Sequence, residues 1–356
     1  MIVTGTFFEG VAKGTFDSFF DGEELDSISR FAWNYPFAVH AHGLEFRLDS
    51  NSRHADYLVC LKDSEQTLDT MRRHLKTQRQ YAFAKPGVWR FLKHWSEIAN
   101  HIRNAVPLLW LEYDRPDGEF GGTPGLFLAL NSELSTHEKA STLNQSIDIL
   151  YPSTFASKKQ KEVARVLSVL PEGAAVRHLG SMPSRQAAFM RLVIEGLNQT
   201  QLLELLLNIG WSGNFAHLSD LLDRIYAEAG IVPTLIDLDF LNGVQSVLGL
   251  EFLLIDENTP DDGGLALLSL LQANAWCSVE KCETLRRWLK WTTRESPDME
   301  PGAYWTKLYH IKLVIKQSNN TTLPHVEGKA YWVVAGGPKP ETITDLHTAA
   351  QRHWRD

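Results

Sequence analysis

"HGLEFRLDS" at residues 42–50 alternates large apolar with charged side chains, and the pattern returns in "LWLEYDRPD" at 109–117 and "LGLEFLLID" at 248–256. Each copy sets a glutamate (Glu45, Glu112, Glu251) between two bulky apolar residues. Side chains on a strand point alternately to its two faces. Leu44, Phe46 and Leu48 therefore share one face, and Glu45, Arg47 and Asp49 the other. A strand of this kind needs helices against its apolar face and a polar space against its charged one.

Outward from these stretches, the echo belongs to a larger period. Paired short strands are predicted at "HGLEFRLD" with "ADYLVCL", "PLLWLEYD" with "GLFLALN", and "AVRHLGSM" with "AFMRLVIEG". Two more follow, "TLIDLDF" with "SVLGLEFLLI" and "YHIKLVIKQ" with "KAYWVVAG". The pairs begin near residues 42, 107, 175, 234 and 309. Within each pair the connection is rich in Asp, Asn, Gly, Pro or Ser, as a hairpin turn requires. Between pairs lie two helical patterns, such as "NQTQLLELLLNIG" and "FAHLSDLLDRIYAEAG", with Gly210 and Gly230 where C-caps belong.

Five ββαα-like units predict an α+β fold, a ten-stranded antiparallel β-barrel surrounded by helices; an open sheet is the alternative. Closure removes the sheet edges, and a ten-stranded lumen is wide enough for a ligand. One domain is expected over 1–356, with a helical lead-in at 1–35, the barrel at 36–335 and a C-terminal helix at 336–356. Alternation sends Glu45, Arg47, Trp110, Glu112, Asp114, Phe189, Arg191, Val193, Asp237, Asp239 and Glu251 into the lumen. In the last pair it sends His310, Lys312, Lys316, Lys329, Tyr331 and Val333 there.

Composition narrows the partners. The 356 residues carry 44% hydrophobic and 22% charged residues and a formal charge of -8, which suits a packed globular chain and not a surface built to neutralise phosphates. The one basic cluster (Arg72, Arg73, Lys76, Arg79, Lys85) reads as a solvated helix face. No nucleic-acid partner and no membrane span are expected, and a cytoplasmic location follows from the lack of a signal-like start. Cys60, Cys277 and Cys282 are too few and too irregular for a disulfide framework or a paired zinc site. "GWSG" at 210–213 follows a helix, so it is no nucleophile elbow, and "AGGPKP" lacks dinucleotide-loop spacing.

The order of five ββαα-like units over about residues 35–335 resembles the aromatic prenyltransferases of the ABBA type, including the dimethylallyltryptophan-synthase branch. "GLEFRLDS...ADYLVCL" looks like that family's first hairpin, whose glutamate is base and indole-nitrogen anchor; the resemblance gives this role to Glu45. "HIKLVI" and "KAYW" are similar to the strands that grip diphosphate with lysine and screen the allyl cation with tyrosine, which implies Lys312, Lys329 and Tyr331. The expected arginine is absent from "ADYLVCL", and the expected lysine from "GLFLALN".

Two functions are therefore expected. In the first, an allylic group passes from a prenyl diphosphate to an indole or phenol in specialised metabolism. Glu45 is the base, Arg47, Arg191, Lys312 and Lys329 meet the diphosphate, and Trp110, Glu112, Phe189 and Tyr331 line the substrate. No cofactor is required; magnesium on Glu112, Asp114, Asp237 or Asp239 is the one optional ion. In the second, the barrel binds a peptide or metabolite without chemistry, and Glu45 merely pairs with Arg47.

Overall fold

The computed structural model describes residues 16–20, 22–49, 51–77, 87–97, 101–114, 122–185, 189–254, 261–289, 292–294, 304–317 and 325–336. Its strands are β1 (Ala41–Arg47), β2 (Ala55–Lys62), β3 (Leu108–Tyr113), β4 (Gly125–Ala129), β5 (Ala175–Ser181), β6 (Met190–Glu195), β7 (Leu235–Phe240), β8 (Val244–Leu253), β9 (Thr292–Arg294), β10 (Tyr304–Lys316) and β11 (His325–Gly336). Every pairing is antiparallel. Neighbours run from β1 through β8 to β10 and β11, and β11 returns to β1 through Ala41↔Ala335 to Arg47↔Lys329. This closes the predicted ring of ten. The three-residue β9 adds an eleventh strand on β10, outside the ring and not foreseen.

Two principal helices follow each of the first four hairpins. They are α1 (Gly22–Trp33) before the barrel, then α2 (Glu65–Thr77), α3 (Gly87–Ser96) and a single turn α4 (Ile102–Ala105). The series continues with α5 (Thr136–Leu150), α6 (Ser153–Val169), α7 (Gln199–Asn208), α8 (Phe215–Ala229), α9 (Asp261–Ala273) and α10 (Val279–Trp288). Local chemistry starts and stops them. Ser135 with Glu138 and Asn198 with Gln201 form capping boxes at α5 and α7, satisfying otherwise orphaned N–H groups. Gly230 ends α8 at φ 64°, a left-handed conformation that costs glycine nothing. Residues 337–356 of the expected C-terminal helix and 1–15 of the lead-in lie outside the described residues.

The core lies between barrel and helices. Leu44, Phe46 and Leu48 are wholly buried there, with Phe46 against Phe19 (4.4 Å between centroids) and Trp288 (5.7 Å). Trp332 packs edge-on to Phe16 at 5.1 Å. A one-residue slip would exchange these rings for Glu45 and Arg47. The register is thus held by the burial that alternation predicts, at about 1.5–3 kcal/mol per large apolar side chain.

Two buried lysines fasten hairpin turns to the helical layer. Lys281 of α10 donates to the carbonyls of Arg47 (2.9 Å), Asp49 (2.5 Å) and Ser52 (2.8 Å) in the β1–β2 connection. Lys159 of α6 donates to the Phe240 and Leu241 carbonyls where β7 ends. Each ammonium satisfies carbonyls that a turn leaves without ladder partners.

Candidate functional site

The lumen face carries the charges. Eight carboxylates (Glu45, Asp56, Glu112, Asp114, Asp237, Asp239, Glu251, Glu327) meet six cations (Arg47, Arg185, Arg191, Lys312, Lys316, Lys329) there among the described residues. The interior is not filled by these groups. Leu58, Trp110, Phe127 and Tyr331 face it and remain half-buried, although strands flank them on both sides.

Glu45 sits at the convergence of three strands. Lys329 donates to its Oε1 and Tyr331 to its Oε2, both from β11, and Asp56 is its cross-strand partner on β2. The alternative pairing with Arg47 does not form. Arg47 instead reaches Asp56 (3.4 Å) and Glu327 (3.8 Å). Burial alone would raise the Glu45 carboxyl, but Lys329, Arg185 and Lys312 together hold it well below the ordinary carboxylate range. Burial, helped by the Glu45 charge, lifts the Tyr331 phenol well above its usual value. Ligand-free Glu45 is therefore a held anion, and Tyr331 a neutral donor.

Farther round the ring, Arg191 is bidentate to Asp239 (2.6 and 3.0 Å) and lies 3.3 Å from Asp237. Lys312 donates to the same Asp237 and is 3.3 Å from Glu251. Lys312 can cross to Asp237 because position 249 has no side chain. A Cβ on Gly249 would lie 2.9 Å from Lys312 Cε and 2.8 Å from Asp237 Cβ. Burial, with the neighbouring Asp237 charge, pushes Glu251 up to about 8. Glu112 is likewise pushed up to about 8 by burial and the charges of Glu45, Asp114 and Asp56, against the attraction of Arg185.

Of the expected site residues, the structure brings Glu45, Lys329 and Tyr331 into contact and links Arg191 to Lys312 through Asp237; neither grouping was foreseen in the sequence. Trp110 lies elsewhere, with Ala41, Cys60 and Val333 toward the opposite end of the lumen. Phe189 lies beneath the Arg191 guanidinium, 5.9 Å from its ring centroid. The ring that faces Tyr331 is His310, stacked at 3.9 Å and 22°. Two participants were missed. Asp56 was legible, since alternation in "ADYLVCL" sets it opposite Tyr57. Arg185 was not, because it reaches Glu112 (2.7 Å) and Asp114 (2.9 Å) from the β5–β6 connection, where no periodicity assigns a face.

Carboxylate oxygens of Glu45, Asp56 and Glu112, from three consecutive strands, lie within 4.8 Å of one another. A hard divalent cation favours such donors. Lys329 and Tyr331 already take Glu45, however, and Arg185 takes Glu112. Of the acids expected to hold magnesium, only Glu112 belongs to this trio.

No protein-family model and no curated protein matches the sequence. Solved structures do. The 6-dimethylallyltryptophan synthase from Micromonospora olivasterospora, in complex with DMASPP and Trp, is 11% identical over 83% of this chain and 84% of its own, with a TM-score of 0.48. NotF prenyltransferase is 11% identical over 92% of both chains at a TM-score of 0.49. AnaPT from Neosartorya fischeri is 10% identical over 95% of this chain and 93% of its own at 0.48. The likeness concerns architecture alone, and the strand order and register define that architecture independently: a closed ten-stranded antiparallel barrel ringed by helices, with a polar lumen. No helix among the described residues is long and apolar enough to cross a membrane.

Proposed function

We propose that the lumen transfers an allylic group from a prenyl diphosphate to an aromatic acceptor. The observation that carries this reading is a row of cations. Arg47, Lys329 and Lys312 are direct cross-strand partners on β1, β11 and β10. Like charges placed directly opposite one another destabilise a sheet, and here Asp56, Glu327, Glu45, Asp237 and Glu251 offset them. A diphosphate can take the place of some of these acids, and its charge grows as the C–O bond to the allyl carbon breaks, which is when fixed cations help most. Two residues along each strand, and so on the same face, the Tyr331 ring with His310 behind it offers an electron-rich face to the allyl cation. The aromatic carbon of the acceptor attacks that cation, and Glu45 takes the proton the carbon then loses.

The ion pairs supply a sequence of events. While Lys329 holds Glu45, the carboxylate is too weak a base. A diphosphate that draws Lys329 toward itself releases Glu45 to become more basic in the same complex. Incubation of the protein with allyl diphosphates and a panel of indoles and phenols, with and without magnesium, tests the reading; prenylated product and diphosphate release are expected. Absence of both with every pair overturns it.

A second reading, a binder without chemistry, is favoured by the carboxylates. Each of the six cations named above already faces at least one of them. An amine- or amide-rich ligand suits such a lining. Thermal stabilisation by amines or peptides, with none by inorganic diphosphate, selects this reading.

A further inference from the structure

The connection from α9 to α10 grips the seam that closes the barrel. The Ser278 N–H donates to the Leu48 carbonyl at 3.0 Å, and the Leu48 N–H donates to the Gly328 carbonyl at 2.9 Å. The Trp276 carbonyl lies against Gly328, where a Cβ would come within 2.8 Å of it. Together with Lys281 and its three carbonyls, this segment clasps β1 and β11 just beyond Arg47 and Lys329.

Both clasping donors, Ser278 and Lys281, lie between two cysteines. Ser278 is the N-cap of α10, so Cys277 stands one residue before the cap and Cys282 at the fourth helical position, the two places that a staple brings side by side at a helix start. The chain reaches that pose through Ala275, the one non-glycine residue with positive φ (57°) among the described residues. The Trp276 and Cys277 N–H groups then both donate to the Leu271 carbonyl. A hydrogen bond between the two thiols, with help from the Arg286 guanidinium and against the effect of burial, lowers Cys282 below the ordinary thiol range; the same hydrogen bond raises Cys277. The first turn of a helix also favours a thiolate. Both sulfurs are buried, but Ala275, Val279, Glu280 and Glu283 around them are exposed, so the opening of one turn admits a small oxidant. Cys60 sits apart with Ala41 and Val333, and burial pushes its thiol up to about 12.

We propose that Cys277 and Cys282 are a redox-sensitive pair, which a peroxide converts to a disulfide that locks the α10 clasp on the β1–β11 seam. The Cys282 thiolate attacks the peroxide, and the O–O bond breaks to leave a sulfenic acid on Cys282 and one water. The Cys277 sulfur then attacks that sulfur, and the S–S bond forms as the S–O bond breaks. The departing hydroxide takes the Cys277 proton as a second water, so two thiols are oxidised and one peroxide is reduced. The bridge closes a ring over residues 277–282 that holds Ser278 and Lys281 in their clasping pose. This switch belongs to the scaffold and is independent of what the lumen binds.

Hydrogen peroxide, added to the full chain and followed by unfolding, alkylation and peptide mass spectrometry, tests the pair. Cys277 and Cys282 should be joined with the loss of two hydrogens, Cys60 should be alkylated, and dithiothreitol should restore all three thiols. Hydrogen exchange then compares the two forms of the wild-type chain. The Leu48, Asn51 and Ser52 amides should exchange about fivefold or more slowly in the disulfide form, because local opening of the clasp is suppressed. Cys60→Ser should behave as the wild type does, and Cys282→Ser should show neither bridge nor slowing; the central comparison needs no variant to fold. Cysteines 277 and 282 that stay reduced, pass separately to sulfinic acids or bridge to Cys60 overturn the inference, as does a disulfide form with unchanged or faster exchange at these amides.

Discussion

Lys312 and Lys329 stand directly opposite each other on β10 and β11, two ammonium groups side by side within a buried lumen. Their coexistence depends on interleaved acids, Asp237 and Glu251 for Lys312 and Glu45 for Lys329. Removing one member of a buried pair leaves the other charge uncompensated, at about 3–5 kcal/mol. Lys329→Met should therefore destabilise strongly, and Lys329→Met with Glu45→Leu should recover most of the loss. Urea unfolding measures both; a cost below about 1 kcal/mol for the single variant would mean that the pair is solvated rather than buried.

Position 249 tests how closely Lys312 is steered. A Cβ there would come within 3.0 Å of both the Asp237 side chain and the Lys312 stem. Gly249→Ala should destabilise by about 1–3 kcal/mol, the usual cost of overpacking. The urea midpoint should fall with no change in slope. An unchanged midpoint would show that Lys312 takes another path to its partner.

Much of this arrangement was legible in the sequence, for a physical reason. Where one strand face is buried under helices, period-two alternation fixes the other, so Glu45, Glu112, Arg191, Asp237 and Glu251 were correctly assigned to the lumen. Pairings inside the lumen were not legible. Eight acids and six cations allow many combinations, and only the register selects Lys329 over Arg47 for Glu45. Arg185 escaped because it projects from a turn.

The pH dependence of stability should run opposite to ordinary acid denaturation in the neutral range. Burial, before any other cause, pushes both Glu112 and Glu251 up to about 8. Between the unfolded carboxylate range and pH 8 the folded chain then holds more protons than the unfolded one, so stability falls as pH rises. The slope is at most about 1.4 kcal/mol per pH unit for each group. Glu45 acts with the other sign: its contribution is present above the unfolded carboxylate value and is lost only in stronger acid. Unfolding free energy measured from pH 5 to 8 should decline, and decline less in Glu112→Gln. Identical profiles in the wild type and Glu112→Gln would show that Glu112 does not hold its proton.

Glu45→Gln separates the two roles open to the residue in "GLEF". The amide keeps the size of the side chain, its oxygen can accept from Lys329, and its NH₂ can donate to the Tyr331 hydroxyl, so the barrel should fold. If Glu45 only compensates Lys329, the substitution alters stability and leaves ligand affinity and any turnover nearly unchanged. As the base, it must receive the acceptor's proton, and an amide cannot. The expected outcome is intact binding of an allyl diphosphate, since Lys329 is then freer to meet it, together with turnover reduced by about 10²-fold or more. Calorimetric binding and product formation, measured on the same preparation, distinguish the roles. A folded variant with wild-type turnover would remove Glu45 from the chemistry and leave it as the counter-ion of Lys329.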